Sequence, residues 1–465
     1  MLRLQDLTRN DIRIFVSDHL GADSRFRRLQ KTHYEYQNLL EDIINKAEGV
    51  FLWVFLVVRE LLDGLTNMDT LTNLRLRLHL LPSDLEKYFQ HILDSVDPIY
   101  KEISAQTLLL CIHSNGQLPV TCLALLDEAK IDDLQDLDMT SWTREMVLDM
   151  IQTTERRLNA RCKGLIEVQT VRNPLDPLIR YLHRTVQDFL ELPEATSILK
   201  TRAGTNFAIY EALLKIWTSY MSLTRLVHLP ATCARTGLEI IADSSYYAME
   251  ATKERKLSSR DRDGLLDLIG TQLFPYVKTN YPEEIHEITM LNALCEGLFV
   301  FVKQSWQEIP SYIKPKQLFK TFKVALVSSH VLRLDTVTFF LSETAGPDCN
   351  LIATETFWPE FLARIRKEWD EWTKEDQSTV RKIVKELVRH GARTDFDIET
   401  SMGYVRSTEI VQKYLSLSKK ELKRLDKDGQ ARIASRAFRN AQNGGSKKSR
   451  IWARFSKSNE RVPSG

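Results

Sequence analysis

Leu165-Ile-Glu-Val-Gln169, Asn173-Pro-Leu-Asp-Pro177 and Leu178-Ile-Arg-Tyr-Leu182 follow one another in the stretch that decides the fold. Two short runs of β-forming residues flank a connection with two prolines, which reads as a hairpin. Strand signals are scarce elsewhere, so this hairpin stands in a helical context. Upstream, helix follows helix through Ile112, and downstream Thr185 to Leu192 has helical spacing. Helices, one hairpin and another helix are the layout of a winged helix. The fold class that follows is mainly α: a helical domain plus a winged helix with one small β-hairpin, then an irregular α-helical, degenerate ankyrin-like region.

Working outward toward the N-terminus, apolar residues from Asn38 to Leu65 recur with a 3.6-residue period, the stripe of an amphipathic helix. Gly49 interrupts it, which predicts two consecutive helices meeting there. A third is expected from Leu71 to Leu81, stopped by Pro82, and Ser83 with Glu86 three residues on has the form of a capping box. Residues 205–420 read as further helices of uneven length, including Phe207–Thr218, Arg262–Thr271, Pro315–Val331, Pro359–Trp372 and Thr379–His390. Two stretches there, Val337 to Asn350 and Ile383 to Asp395, resemble the end of an ankyrin unit, where a helix stops and turns. The last ~25 residues, with Asn443-Gly-Gly-Ser-Lys-Lys448 and Val462-Pro-Ser-Gly465, have the composition of disordered chain. The expected organisation is 1–95 helical domain, 96–200 winged helix, 205–417 helical region and 418–465 basic tail.

At 465 residues the chain has room for about three domains of ~150 residues. Its 43% hydrophobic content is that of a globular protein. Six cysteines, at 111, 122, 162, 233, 295 and 349, are widely spaced with no CxxC pair, which points away from a disulfide framework or zinc site and toward a reducing compartment. The opening residues contain no apolar signal region. The most apolar run, Val50 to Val58, is bounded by charge at Glu48 and at Arg59-Glu60, well short of the ~18 residues a membrane span needs. A buried helix and a cytoplasmic protein are expected. Net charge is +2, but residues 418–465 hold 14 Lys/Arg against 4 Asp/Glu, leaving 50 against 58 in the rest. A mildly acidic body therefore carries a basic tail, which doubles as a candidate nuclear-import signal.

Catalytic motifs are missing. None of the 17 glycines is followed by lysine, so no P-loop is present. Leu123-Ala-Leu-Leu-Asp127-Glu128 imitates the strand that presents a magnesium-binding acid, yet Pro119 and the apolar spacing from 120 to 126 suit a helix. HExxH and GxSxG are absent, and no cysteine and histidine are spaced as nucleophile and base. Asp132, Asp133, Asp136 and Asp138 lack the register and glycine of a calcium loop and read as a solvated loop. No catalytic residue and no metal ligand is assigned.

Three segments, taken in order, resemble the fungal-type NACHT proteins of the STAND class, relatives of NLR immune receptors. Leu4-Gln-Asp-Leu-Thr8, with Asp11, Ile12 and Val16, resembles the stretch after their nucleotide-binding core. Ile43 to Leu61, containing Lys46-Ala-Glu-Gly-Val-Phe-Leu-Trp53, resembles their KAxGxFLWxxL helix, with Leu81-Pro-Ser-Asp-Leu85 after it. Tyr181-Leu-His-Arg-Thr-Val-Gln-Asp-Phe-Leu190 resembles the sensor-histidine segment at the end of their winged helix. The resemblance covers about residues 1–200.

It implies a switch in which ADP clamps the core against the winged helix and exchange for ATP releases it for oligomerisation. His183 takes the place of the histidine that reaches the ADP β-phosphate, and Phe51 stands where many relatives place a proline beside the adenine. The phosphate loop, magnesium acid and sensor arginine belong to a part that would lie upstream of Met1. The expectation is a non-catalytic regulatory fragment of the NLR-like immunity or heterokaryon-incompatibility class, without nucleotide hydrolysis. It holds no cofactor alone; ADP or ATP enters only with a P-loop core upstream or in a partner. Its partners are other proteins, full-length NACHT relatives among them, with no membrane span. The alternative is a nucleic-acid-binding winged-helix protein using the basic tail, against which the charges around residues 145–191 nearly cancel.

Overall fold

A computed structural model describes residues 4–427 apart from 33–35, 115–117, 170–176, 228–236, 281–286, 310–313, 344–356, 391, 393–396, 401–402, 416–419, 422 and 426. The mainly α class holds, with two antiparallel two-stranded sheets among the described residues. Chain contacts divide the protein into two compact units, residues 1–130 with 143–212 and residues 131–142 with 213–465. No helix among the described residues is long and apolar enough to cross a membrane.

The first unit begins with α1 (Leu4–Ala22), whose Ile12, Val16 and Leu20 form a buried stripe. Asp23 then opens α2 (Ser24–Thr32) by accepting from the Arg25 and Phe26 amides at 2.7 and 3.2 Å. The hydrogen bonds from Arg25 hold the Asp23 carboxyl down at about 2. The predicted break in the long apolar stripe is present: α3 (Tyr36–Lys46) and α4 (Phe51–Thr66) are separated by Glu48 and Gly49 at φ +47° and +84°. Glycine enters that left-handed region without a Cβ clash. Helix α4 packs against α1 and buries Trp53, Val54, Leu56, Val57 and Val58, so most of the apolar run is core. Phe51 and Phe55 instead stay 42% and 38% exposed.

The capping expectation at Ser83 is corrected. Helix α5 (Leu71–Leu80) stops before Pro82, and the side chain that caps α6 (Leu85–Asp94) is Asp84, accepting from the Lys87 amide at 2.9 Å. One residue decides the difference, since the cap must sit immediately before the first helical residue to reach the third amide. Helices α7 (Lys101–His113), α8 (Val120–Glu128) and α9 (Arg144–Cys162) lead into the predicted hairpin of β1 (Ile166–Gln169) and β2 (Leu178–Tyr181). Its register pairs Ile166 with Tyr181 and Gln169 with Leu178. Residues 173–176 of the proline-bearing connection lie outside the described residues. Leu118 and Pro119 add a short third edge: the Val120 amide donates to Pro177 and the Ile179 amide to Leu118, both at 2.9 Å. Two more helices, α10 (Arg184–Leu190) and α11 (Pro193–Ala203), complete the helices-then-wing order, and α11 packs along α7.

Helix α9 meets the wing at Lys163 and Gly164, at φ +48° and +73°. Arg59 of α4 donates to the Lys163 carbonyl, placing a guanidinium on the negative end of α9. A Cβ on Gly164 would stand 1.8 Å from that guanidinium. The backbone conformation favours glycine here, and a Cβ would displace the Arg59 guanidinium.

The second unit contains most of α12 (Ile209–Leu226), then α13 (Gly237–Arg255), α14 (Ser259–Asn280), α15 (Glu287–Cys295), α16 (Phe299–Glu308), α17 (Lys314–Lys323), α18 (Leu334–Glu343), α19 (Phe357–Glu368), α20 (Lys374–Arg389) and α21 (Ser407–Leu415). The single helix expected over Pro315–Val331 is corrected: α17 ends at Lys323, passes into a π-helical turn over Val324–Ser328, and is extended by Ser329. A second hairpin, β3 (Asp397–Thr400) with β4 (Gly403–Arg406), precedes α21. Helix α14 packs against α13 and α16, and α19 against α21. Helices α18 and α20 touch one another, while the turns that would define an ankyrin-type repeat, 344–350 and 393–395, lie outside the described residues. The tail from residue 428 onward lies outside them too.

Arg333 is the electrostatic centre of this unit. Its side chain is only 3% exposed and bonds Asp267 at 2.9 and 3.0 Å and Asp335 at 2.7 and 3.2 Å. It also donates to the carbonyls of Asp263 and Gly297, tying the second and third turns of α14 and the first turn of α18 to the residues just before α16.

Candidate functional site

His183 occupies the N-cap of α10. The Thr185 amide donates to Nδ1 at 3.2 Å, and the Thr185 hydroxyl lies 2.6 Å from the same nitrogen. A backbone N–H only donates, so Nδ1 carries the lone pair and the proton of the neutral ring belongs on Nε2. The cap thus makes Nε2 a hydrogen-bond donor, and the residue is exposed. Its capping role comes from the structure.

Phe51 is the first residue of α4, and its ring meets Phe15 of α1 edge-on at 5.1 Å between centroids. Phe55, one turn on, continues the exposed aromatic face. No hydrogen bond or ring contact among the described residues joins Phe51 to His183. The two sequence-assigned positions are separate features of the first unit.

Asp127, whose local sequence imitates a magnesium-binding acid, ends a helix and is 3% exposed at its side chain. It bonds Arg161 at 2.6 Å, Arg157 at 3.0 Å and the Thr154 hydroxyl at 3.1 Å. Both carboxylate oxygens are engaged in fastening α8 to α9. The acidic loop is likewise occupied in part: Asp132 pairs with Lys215 at 2.8 Å, and Asp138 accepts from Thr140. No group of three His, Cys, Asp or Glu residues that could hold a metal occurs among the described residues. Burial raises the Cys111 thiol strongly and pushes Cys162 up to about 12, which leaves neither as a thiolate nucleophile at neutral pH.

Sequence reasoning missed a groove of about 390 Å³ between α6 and α10, which begins two residues after His183. Beneath it lie Phe89 and Phe189, both buried and with ring centroids 5.4 Å apart, and Leu85 and Leu192 border it. Asp84, Glu86 and Asp188 stand at its edges beside Thr185. Two segments about one hundred residues apart, 84–89 and 185–192, build it, so no local pattern marks it. An anionic phosphate entering this groove meets three carboxylates and no lysine or arginine among the lining residues.

Residues 95–229 match a domain of unknown function (DUF7791). The match spans α7 through α12, hence the whole helices-then-wing order, the His183 cap and the α10 side of the groove. Comparison with curated proteins and with solved structures gives no match. The DUF7791 segment leaves α1 to α6, with Phe51, outside its limits.

Proposed function

We propose that this chain is a non-catalytic, regulatory and protein-interacting portion of a NACHT-type signalling switch. The observation that carries the reading is the state of His183: a cap that fixes its proton on Nε2 suits a residue that donates to an anionic ligand. Two further facts support it. The helix break at Gly49 lies within the Ile43–Leu61 segment and the hairpin leads into the Tyr181–Leu190 segment that carry the resemblance, and DUF7791 domains sometimes occur in NACHT-containing proteins.

The chain's own chemistry explains the division of labour. The sequence has no Gly-Lys pair, and carboxylates line the groove beside the histidine. A nucleotide-binding core supplied by another segment or molecule has to bring the phosphate to Nε2. ADP then favours the closed arrangement by its extra bond to that arrangement, which is the only way a ligand shifts such an equilibrium.

The test is direct. The purified chain should neither hydrolyse ATP nor bind labelled ADP, but adding it to a P-loop-bearing NACHT relative should slow ADP release from that relative. His183→Ala should remove the effect. ATP turnover that copurifies with the chain, or an undiminished effect of the alanine variant, refutes the reading.

A further inference from the structure

Beyond α21 the described residues carry a row of cations without partners. Lys420, Lys423, Arg424 and Lys427 are helical and exposed, and the spacing i, i+3, i+4, i+7 puts them on one side of a helix. None makes a hydrogen bond or ion pair among the described residues. On α21 itself Lys413 lies 4.9 Å from the Tyr414 ring, and Arg381 of α20 lies 5.2 Å from the Trp369 ring, again with no carboxylate partner among the described residues. The sequence continues this chemistry: residues 429–459 hold eight Lys/Arg and no Asp/Glu. They lie outside the described residues. Within Lys447-Lys-Ser-Arg-Ile-Trp-Ala-Arg-Phe-Ser-Lys457 a 3.6-residue period puts Lys447, Arg450, Arg454 and Lys457 on one side. Ile451, Trp452 and Phe455 fall on the other, with Lys448 alone among them. Cations on one side and aromatic residues on the other suit a segment lying in the plane of a membrane interface. A single-stranded nucleic acid would take the same charge, but it also needs rings open to its bases. Trp369 is buried, Tyr414 is covered by Lys413, and the apolar residues of 447–457 gather on one side instead of alternating with the cations.

We propose that residues 420–457 bind the surface of membranes rich in anionic lipid, their cations among the headgroups and Trp452 and Phe455 at the edge of the acyl chains. The segment attaches to one leaflet, since it is too short in apolar residues to cross. Attraction by charge and insertion of the rings are both required, because neither a few cations nor two aromatic side chains alone hold a protein firmly at a bilayer. The inference goes beyond the switch reading and needs no nucleotide, so each can fail without the other.

The experiment is flotation of the full chain with vesicles at physiological ionic strength. Vesicles of phosphatidylcholine with phosphatidylserine should carry the chain upward, and vesicles of phosphatidylcholine alone should not. Each cation near an anionic surface contributes about five-fold, so Lys447→Ser with Arg450→Ser, Arg454→Ser and Lys457→Ser should weaken binding by about a hundred-fold or more. Trp452→Ser with Phe455→Ser leaves the charge unchanged and should weaken it about ten-fold. Lys87→Ser with Lys130→Ser, Arg144→Ser and Arg156→Ser removes four exposed cations of the first unit and should bind as the parent does. No binding by the parent chain, equal binding to both vesicle types, equal weakening by the two four-cation variants, or indifference to the aromatic pair overturns the proposal. So does a thymidine oligonucleotide that displaces the vesicles and still binds the Trp452→Ser, Phe455→Ser variant fully, which would make the segment a nucleic-acid binder.

Discussion

Arg333→Ala probes how the second unit is held together. Burial by itself pushes the Arg333 pKa down, but hydrogen bonds to Asp335 and Asp267 outweigh it, so the guanidinium titrates above the ordinary arginine value. Removing it leaves three carboxylates facing one another, and burial already raises the Asp263 carboxyl. Asp267 and Asp335 are 37% and 44% exposed, so water screens part of the loss. The expected cost is therefore about 3–4 kcal/mol, in the lower half of the range for breaking a buried ion pair.

Because the chain forms two units, a single unfolding midpoint is not a clean readout. Native-state hydrogen exchange resolves the loss locally: at ~1.4 kcal/mol per decade, protection in α14 and α18 should fall about 10²–10³-fold. Arg333→Lys keeps the charge but loses the planar fork, and should fall between. A change below five-fold in the alanine variant, or a lysine variant indistinguishable from the parent, refutes the claim that the multidentate geometry holds these helices.

Other outcomes follow from the first unit. His183→Ala should increase amide exchange at the start of α10, matching a cap loss of about 1 kcal/mol, while His183→Asn should keep the cap and still lack the Nε2 donor. Separation of stability from ADP-release effects in those two variants distinguishes capping from sensing. Gly164→Ala should destabilise the unit by about 2 kcal/mol, through a positive φ and the displaced Arg59, as measured by exchange in α9. Burial, with Lys200 nearby, lowers the pKa of His113 below its ordinary 6.5 against the opposing pull of Glu191. The neutral ring is thus favoured by folding, so its contribution is complete above pH 6.5 and is lost as pH falls below it. His113→Gln should flatten that part of the stability profile. Cys111, Cys122 and Cys162, all buried, should resist aromatic-disulfide labelling in the native chain and react after denaturation. Rapid native labelling of any of the three would contradict the burial.

Periodicity alone determined the α3 and α4 pair and the hairpin after α9, because each rests on local chemistry. A glycine admits the left-handed break at 49, and β-formers flank a turn that proline prevents from continuing as helix. His183 is singled out by the resemblance of Tyr181–Leu190 alone. Tertiary structure decided what such side chains do. Asp84 replaced Ser83 as a cap through a one-residue shift in where α6 begins, and Asp127 became a buried tie because two arginines of α9 reach it. Strands of four residues at 397–400 and 403–406 are too short for alternation to separate them from loop. The acidic groove unites residues about one hundred positions apart, and the Arg333 hub unites α14 with α18. Sequence spacing sets only what lies along a chain; which charges end up sharing one low-dielectric space is set by how helices pack.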